Sequence, residues 1–229
     1  MHLISEKALE RYFREQVIPD GSSEAVIKSL RSGSDIVPGL VEGGFIMWDG
    51  SRQLVEYILT RGFVEKIHGK CVLELGCGAG LPGLVALKLG ASLVMFQDYN
   101  VEVLTNWTIP NVKLNATGSE LDRVQFVSGD WVQLATEWES NDQTNRFDVI
   151  LTAETIYRPD LYGRLHRIFD ACLASDGLVL LFCKVTYGPG GTLWDFLEFV
   201  NTQKCFKTTV NQVTQSGVLT FVVQLERIS

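Results

Sequence analysis

The stretch that decides the fold is Val72-Leu73-Glu74-Leu75-Gly76-Cys77-Gly78-Ala79-Gly80-Leu81-Pro82-Gly83. A mostly apolar segment leads into three glycines separated by single residues, and a helix-like segment follows. Glycine serves where φ must be positive and where a ligand approaches the backbone closely. The N-terminus of the helix then offers unpaired N–H groups and a partial positive charge to an anion. The stretch therefore predicts a buried strand, a ligand-binding turn and a helix.

The acidic residue in this stretch distinguishes between two kinds of ligand. Gly78, Gly80 and Gly83 satisfy the G-x-G-x-x-G pattern of dinucleotide-binding proteins, which is weak by itself. Glu74, two residues before the first glycine, is poorly placed beside a pyrophosphate and suits a cation instead. S-adenosylmethionine has an ammonium, a sulfonium and no phosphate, so its carboxylate suits the helix N-terminus and its ammonium suits Glu74. We favour this ligand over a dinucleotide or a purely structural turn.

Apolar strand-like runs alternate with longer helix-like stretches after residue 69. Near-continuous apolar runs are typical of parallel strands buried on both faces, and the alternation predicts a doubly wound α/β sheet. The predicted strands are Cys71–Leu75, Leu93–Gln97, Val124–Val127, Phe147–Thr152 and Leu178–Cys183. The predicted crossover helices are Leu81–Gly90, Val101–Leu114, Asp130–Trp138 and Pro159–Ala174.

The end of the chain breaks this alternation. After a predicted helix at Leu193–Gln203 come two predicted strands, Phe206–Asn211 and Val218–Leu225, joined by a short polar turn at 215–217. Such a turn joins only antiparallel strands, so one hairpin strand is expected to enter the sheet antiparallel. Five parallel strands and a hairpin give seven strands, the Rossmann-like architecture typical of class I methyltransferases.

Residues 1–45 are interpreted as an arm that packs on a catalytic domain of residues 46–229. The arm contains a predicted helix at 5–16 with Ser5 as its N-cap, followed by segments rich in glycine and serine.

Composition excludes some kinds of partner. Twenty basic and 27 acidic residues give a net charge of −7, which disfavours sequence-independent binding to nucleic acid and leaves basic protein partners open. The five cysteines are widely spaced without a C-x-x-C pair, so neither a disulfide framework nor a metal site is expected, and a reducing compartment is the default. No apolar run reaches the roughly 18 residues of a membrane span.

Acidic residues follow the next two predicted strands. Asp98 lies about 20 residues beyond the glycine turn, where a carboxylate accepts hydrogen bonds from ribose hydroxyls, although it could instead cap the next helix. Asp130 follows the third strand, where it can accept from an adenine amino group. Trp131 can flank the adenine ring or belong to the core.

Several segments together resemble a known family. They are Glu42-Gly43-Gly44 with Trp48, Glu74–Leu81, Gln97-Asp98-Tyr99-Asn100, Pro110-Asn111-Val112, Ser128–Trp131 and Glu154-Thr155-Ile156-Tyr157. In these segments the chain resembles the eukaryotic histidine protein methyltransferases, which modify a histidine of a large-subunit ribosomal protein. They belong to a wider group of small seven-strand protein methyltransferases that includes lysine enzymes and often has Asp-x-x-Tyr where this chain has Glu154-x-x-Tyr157. The first 33 residues do not match the variable N-terminal region of the family.

The glycine pattern and the resemblance together give the expected site. The expected cofactor-binding residues are Trp48, Glu74, Gly76, Cys77, Gly78, Gly80, Asp98, Asn100, Asp130, Trp131 and Ala153. The resemblance implies that Glu154 and Tyr157 are catalytic, because the segment after the fourth strand lines the active site in the related group. The structural alternatives are that Trp48 anchors the arm, that Glu154 is a charge at a helix start and that Tyr157 only packs.

The chemistry of methyl transfer to a neutral imidazole suits a carboxylate. One ring nitrogen attacks, and a carboxylate such as Glu154 can accept a hydrogen bond from the other, which selects the tautomer and stabilises the imidazolium formed. A lysine substrate would also gain from a carboxylate, so only the resemblance favours histidine. The glycine-rich loop Lys184–Thr192 is interpreted as a substrate-side loop with Tyr187 as a contact, or as a simple long turn.

The expected function is S-adenosylmethionine-dependent methylation of a protein histidine, by a monomer, in the cytoplasm and nucleus. The alternatives are a lysine methyltransferase, a nicotinamide-dependent oxidoreductase and a methyltransferase-fold scaffold without catalysis. The position of Glu74 and the terminal hairpin disfavour the oxidoreductase. The intact glycine turn disfavours the scaffold.

Overall fold

The computed structural model of the protein describes residues 36–37, 41–45, 47–140, 147–214 and 217–228. The helix predicted at 5–16 and the turn residues 215–216 lie outside the described residues. Within the arm, Ile36–Val37 (β1) and Val41–Glu42 (β2) form a short antiparallel pair. The division between arm and domain at residue 45 stays a prediction.

A seven-stranded mixed sheet organises the described part of the chain. Its strands are β3 (Cys71–Leu75), β4 (Leu93–Asp98), β5 (Val124–Ser128), β6 (Phe147–Ala153), β7 (Leu173–Lys184), β8 (Phe206–Gln212) and β9 (Thr220–Arg227). The strand order is β5-β4-β3-β6-β7-β9-β8, with the first five parallel and β9 antiparallel to both of its neighbours. The predicted α/β class and the antiparallel entry of the hairpin are confirmed.

Helices connect the strands and cover both faces of the sheet. They are α1 (Asp49–Thr60), α2 (Val64–Ile67), α3 (Leu81–Lys88), α4 (Val101–Val103), α5 (Ile109–Asn115), α6 (Trp131–Ser140), α7 (Tyr162–Cys172) and α8 (Leu193–Gln203). A π-helical segment, Leu104–Thr108, joins α4 to α5, and short 3-10 turns lie at Gly118–Arg123 and Pro159–Leu161.

The alternation of side chains along β3 shows how the two layers of core arise. Leu73 and Leu75 lie in an apolar cluster with residues of α6, α7 and α8, whereas Val72 lies in a second cluster with residues of α1, α3 and α5. Successive side chains of a strand point to opposite faces, so a strand buried on both faces must be apolar throughout. Glu74 is the one charged residue in β3, and it is also buried.

Two of the differences from the sequence-based expectation have a clear physical reason. No helix was predicted at α1, although Leu54, Tyr57 and Ile58 have the i, i+3, i+4 spacing of an apolar helix face and are buried against α3 and β7. The helix predicted to end at Ala174 ends at Cys172, because Leu173 already pairs with β6 as the first residue of β7.

The sheet order determines where a ligand can bind. The chain moves outward from β3 to β5 and then returns to the other side of β3 with β6, so the connections at the carboxyl ends of β3 and β6 leave in opposite directions. A crevice forms at such a switch point in open α/β sheets. Among the described residues, no helix has the length and hydropathy needed to cross a membrane.

Candidate active site

A cavity of about 630 Å³ opens at the carboxyl ends of the parallel strands. This volume lies within the usual range for a small-molecule site. The lining residues come from the arm, the start of α1, the ends of five strands with the segments that follow them, and the start of α7. They are Gly43, Gly44, Trp48, Ser51, Gly76, Cys77, Gly78, Ala79, Asp98, Tyr99, Asp130, Trp131, Ala153, Glu154, Thr155, Tyr157, Arg158, Asp160, Leu161, Arg164, Lys184 and Tyr187.

Most of the predicted site residues meet in this cavity. Ten of them line it: Trp48, Gly76, Cys77, Gly78, Asp98, Asp130, Trp131, Ala153, Glu154 and Tyr157. Glu74, Gly80 and Asn100 do not line the cavity, and each has another place in the structure.

The glycine turn presents backbone to the cavity. At Gly78, φ is +49°, and a Cβ would lie 3.1 Å from the carbonyl oxygen of Gly44 in the arm. A side chain there would therefore be strained and would push the arm off the turn. Gly80 instead ends the turn, as the left-handed N-cap of α3.

Glu74 lies beneath the turn rather than in the cavity. Its Oε2 accepts a hydrogen bond of 2.8 Å from the backbone N–H of Gly83, and the side chain is buried. Burial raises the pKa of this carboxyl well above its ordinary value, an effect that the Gly83 hydrogen bond opposes. The ammonium contact expected of Glu74 stays a prediction, and the first turn of α3 also uses its carboxylate. Its role is to join the end of β3 to α3.

Asp98 joins the end of β4 to the glycine turn. Its Oδ2 accepts from the N–H of Gly78 at 3.0 Å, and its Oδ1 accepts from the N–H of Asn100 at 3.3 Å. The side chain also lines the cavity. Asn100 is buried at the start of α4 and contributes its backbone N–H.

Asp130 and Trp131 form the wall at the end of β5. Asp130 caps α6 by accepting from the N–H of Val132 at 2.8 Å, and it pairs with Arg164 of α7 at 2.6 Å. The indole N–H of Trp131 donates to Oε1 of Gln97 at 2.9 Å. Asp130 thus caps α6, which the sequence did not predict, and both residues line the cavity, where the adenine roles stay predictions.

Glu154 has an unusual backbone conformation at the end of β6. Its φ is +61°, in the left-handed region that non-glycine residues rarely adopt, and its N–H donates to the carbonyl of Phe182 at 2.9 Å. Strain of this kind is found at sites where a side chain must point in a defined direction. Here it directs a carboxylate into the cavity.

The surroundings of the Glu154 carboxylate are only partly polar. Oε1 lies 3.6 Å from Nζ of Lys184, whereas Oε2 is buried and has no hydrogen-bond partner among the described residues. Burial raises the pKa of this carboxyl, and the Tyr187 hydroxyl and the Lys184 ammonium act in the opposite direction. An unpartnered buried carboxylate oxygen is costly, so this atom is suited to accept a hydrogen bond from a ligand.

Tyr157 and the loop after β7 form the outer side of the cavity. The guanidinium of Arg158 lies 5.5 Å from the centroid of the Tyr157 ring. The Tyr157 carbonyl accepts a hydrogen bond from the N–H of Gly191 at 2.9 Å, which fixes the glycine-rich loop against the site. Tyr187, predicted as a loop contact, lines the cavity.

Sequence reasoning missed several residues that build the site. Thr108 and Asn111, at i and i+3 on the helix after β4, donate to the carbonyls of Gly78 and Ala79 at 2.6 and 3.0 Å. Their helical spacing was a usable signal for a polar pair on one face. Arg164 and Lys184 had no local signal, because only the folded sheet brings them to Asp130 and Glu154.

Metal ligands are not grouped in the site. Among the described residues, no cluster of three or more histidine, cysteine, aspartate or glutamate side chains could hold a metal ion.

Curated relatives share most of this chain. A bovine histidine protein methyltransferase 1 homolog is 37% identical over 223 residues, which cover 87% of this chain and 59% of the bovine protein. A homolog from Dictyostelium discoideum is 40% identical over 176 residues, covering 76% of this chain and 53% of that protein. The chain thus spans less than two thirds of the length of these relatives. The resemblance predicted from the sequence is confirmed.

Solved structures share the fold at low identity. The magnesium protoporphyrin IX methyltransferase of Synechocystis with bound SAM has a TM-score of 0.56 at 15% identity, covering 99% of both chains. The ribosomal protein L11 methylase of Lactobacillus delbrueckii has a TM-score of 0.54 at 18% identity, covering 77% of this chain and 79% of that one.

A family model matches residues 39–195 of the chain. The match begins in the arm, includes the strand ends that line the cavity and stops at the start of α8. The chain therefore belongs to the family that this model represents, the lysine methyltransferase family.

Proposed function

We propose that the protein is an S-adenosylmethionine-dependent methyltransferase that methylates a histidine side chain of a protein. The observation that carries the proposal is the buried Glu154 carboxylate, with Oε2 unpartnered among the described residues, in the same cavity as the glycine turn. The names of the relatives support histidine as the target.

The cavity suits the proposed cofactor. Gly76, Cys77, Gly78 and Ala79 line the cavity, so a ligand can approach the backbone of the turn. We assign Asp98 to the ribose hydroxyls, and Asp130 with Trp131 to the adenine. We keep Glu74 as the group that helps to orient the cofactor ammonium, and its hydrogen bond from the N–H of Gly83 fixes the carboxylate beside the turn.

The chemistry divides between cofactor and protein. S-adenosylmethionine supplies an electrophilic methyl group, and the imidazole lone pair forms the new C–N bond while the S–CH₃ bond breaks and its electron pair stays on sulfur. The protein holds the ring nitrogen in line with that bond. Glu154 accepts a hydrogen bond from the other ring N–H, which leaves the attacking nitrogen unprotonated. The carboxylate also stabilises the positive charge that the ring gains, until that N–H proton leaves.

The substrate and its location extend this proposal. A large-subunit ribosomal protein is proposed from the family resemblance, and the net charge of −7 favours encounter with a basic protein. Action as a monomer in the cytoplasm and nucleus is proposed on the resemblance alone. The lysine description of the family model favours lysine as the second candidate target.

A methyl-transfer assay with labelled S-adenosylmethionine tests the proposal. The substrate is ribosomal protein extract from cells that lack the endogenous enzyme, and mass spectrometry identifies the labelled residue. We expect label on one histidine, reduced about 100-fold in Glu154→Ala and unchanged in Glu198→Ala, which alters an exposed residue of α8.

The outcomes separate the alternatives. Label on lysine and none on histidine would replace the histidine assignment with the lysine one. No label, with intact cofactor binding, would contradict the proposed enzyme and favour a scaffold. Binding is measured by thermal stability, because S-adenosylhomocysteine at 100 times its dissociation constant should add about 2.7 kcal/mol. A shift with NAD instead would indicate an oxidoreductase.

A further inference from the structure

The ammonium of Lys184 lies in a box of two aromatic rings and a carboxylate. Its Nζ is 5.5 Å from the ring centroid of Trp48, 5.7 Å from that of Tyr187, and 3.6 Å from Oε1 of Glu154. We call these three partners the cation box. Aromatic rings arranged around a carboxylate are a recurrent way to recognise an alkylammonium group. In this protein, the occupant is a side chain of the chain itself.

Separate elements bring the cation box and Lys184 together. Trp48 directly precedes α1, Glu154 follows β6, and Lys184 ends β7. The backbone N–H of Lys184 donates to the hydroxyl of Tyr187 at 3.2 Å, which places that ring beside the lysine side chain. All four residues line the cavity, so the box belongs to the substrate side of the site.

The box leaves one half of the Glu154 carboxylate for a ligand. Lys184 occupies the side of Oε1, and Oε2 remains buried without a hydrogen-bond partner among the described residues. A neutral imidazole can donate its N–H to Oε2 without adding a charge. A substrate lysine would bring a second ammonium to a carboxylate that already has one, and like charges at such distances repel.

We propose that Lys184 is a specificity-determining residue, whose ammonium fills the cation box so that the site accepts a neutral imidazole and rejects a lysine ammonium. This inference rests on the proposed function and refines it. The family includes lysine enzymes, and the box gives a physical reason why this member would select histidine.

Lys184 also affects the charge state of Glu154. The titratable groups that act on this carboxyl are Lys184, Tyr187, Cys183 and Asp49. Burial raises the Glu154 pKa and Asp49 adds to that effect, whereas Tyr187 and Lys184 oppose it. Removing the ammonium therefore raises the pKa of Glu154 further and moves the low-pH limb of the activity profile to higher pH.

The test compares two peptides in four proteins. One peptide spans the histidine labelled in ribosomal extract, and the other has lysine in its place. The proteins are the wild type, Lys184→Met, Lys184→Arg and Lys66→Met; Lys66 lies over Phe63, at 5.9 Å from the ring centroid, and does not line the cavity. We expect the ratio of lysine to histidine methylation to rise about tenfold or more in Lys184→Met. It should return toward the wild-type value in Lys184→Arg, and Lys66→Met should equal the wild type.

A binding measurement keeps the test independent of turnover. In Lys184→Ala, the emptied cation box should bind n-butylammonium, seen as a saturable shift of the Trp48 indole NMR signal. That signal is assigned by its loss in Trp48→Phe. The wild type should show no such shift. Equal responses in the two proteins would overturn the proposal.

The failure of this inference differs from the failure of the proposed function. If the wild type labels histidine and the peptide ratio and low-pH limb stay unmoved in Lys184→Met, only the role of Lys184 is wrong. If the wild type labels no histidine at all, the proposed function is wrong, and the proposed selectivity for histidine over lysine is wrong as well.

Discussion

Gly50 shows how a single missing side chain positions the proposed catalytic carboxylate. A Cβ at this position in α1 would lie 2.7 Å from both Cγ and Oε1 of Glu154, and 2.8 Å from Cδ1 of Phe182. We predict that Gly50→Ala displaces Glu154 and lowers methyl transfer by about tenfold or more. Radiolabel assays measure this loss.

Gly163 provides the matched control for Gly50. It lies in α7, and a Cβ there would meet only Cζ of Phe199 at an ordinary 3.8 Å. Gly163→Ala should keep full activity and stabilise the protein by roughly 0.5–1 kcal/mol, since alanine favours a helix over glycine. Equal activity losses in both variants would show that Gly50 has no special relation to Glu154.

The buried Glu154 also predicts a pH dependence of stability. Its pKa is raised in the folded protein, mainly by burial, so the folded state binds a proton more tightly than the unfolded chain does. Stability from this group is present below the unfolded pKa, about 4.3, and is lost as pH rises through the folded pKa. Glu154→Gln should therefore raise the free energy of unfolding more at pH 8 than at pH 5, by on the order of 1 kcal/mol.

Thermal denaturation of the wild type and Glu154→Gln at the two pH values measures this effect. Asp176→Asn, an exposed acidic residue at the outer part of β7, controls for the general loss of negative charge. A gain for Glu154→Gln that is the same at pH 5 and pH 8 would contradict a raised folded pKa.

At the scale of elements, the π-helical segment Leu104–Thr108 holds the glycine turn in place. It brings Thr108 to the carbonyl of Gly78 and packs Trp107 against Ala79. Single π-helical turns are often found at functional sites, because the extra residue redirects the side chains that follow. The helix after β4 thus belongs to the site, although its sequence pattern predicts only a crossover.

Thr108→Val tests this coupling. Valine keeps the shape of threonine and leaves the Gly78 carbonyl without its 2.6 Å donor, which should cost about 1–3 kcal/mol. We expect weaker binding of S-adenosylhomocysteine by calorimetry and a lower melting temperature. Thr105→Val, whose exposed hydroxyl donates only to the Glu102 carbonyl of its own helix, should leave both unchanged. Unchanged binding in Thr108→Val would mean that the turn keeps its shape without this helix.

The elements also show which features were predictable from sequence. The strands were predictable because near-continuous apolar runs of four to seven residues are typical of parallel strands buried on both faces. The glycine turn was predictable because its spacing follows a strand directly. The hydrogen bond of Glu74 was not predictable, because the sequence cannot show that its carboxylate accepts from the N–H of Gly83, nine residues later. Lys184 was not recognised because its partners, Trp48 and Glu154, lie 136 and 30 residues away in sequence (184 − 48 and 184 − 154).

At the scale of the whole molecule, charge predicts how the protein meets its substrate. The net charge of −7 is opposite in sign to that of the proposed substrate, a basic ribosomal protein, so long-range attraction should speed their encounter. Salt screens such attraction beyond about 10 Å at 0.1 M. We therefore expect KM for the protein substrate to rise with ionic strength, while kcat at saturation stays nearly constant. Initial rates between low and moderate salt measure both parameters.

The affinity for S-adenosylhomocysteine provides the internal comparison, because this ligand has no net charge and binds at short range. If salt weakens binding of both ligands equally, the cause is damage to the site, and the acidic character of the chain plays no part in substrate encounter.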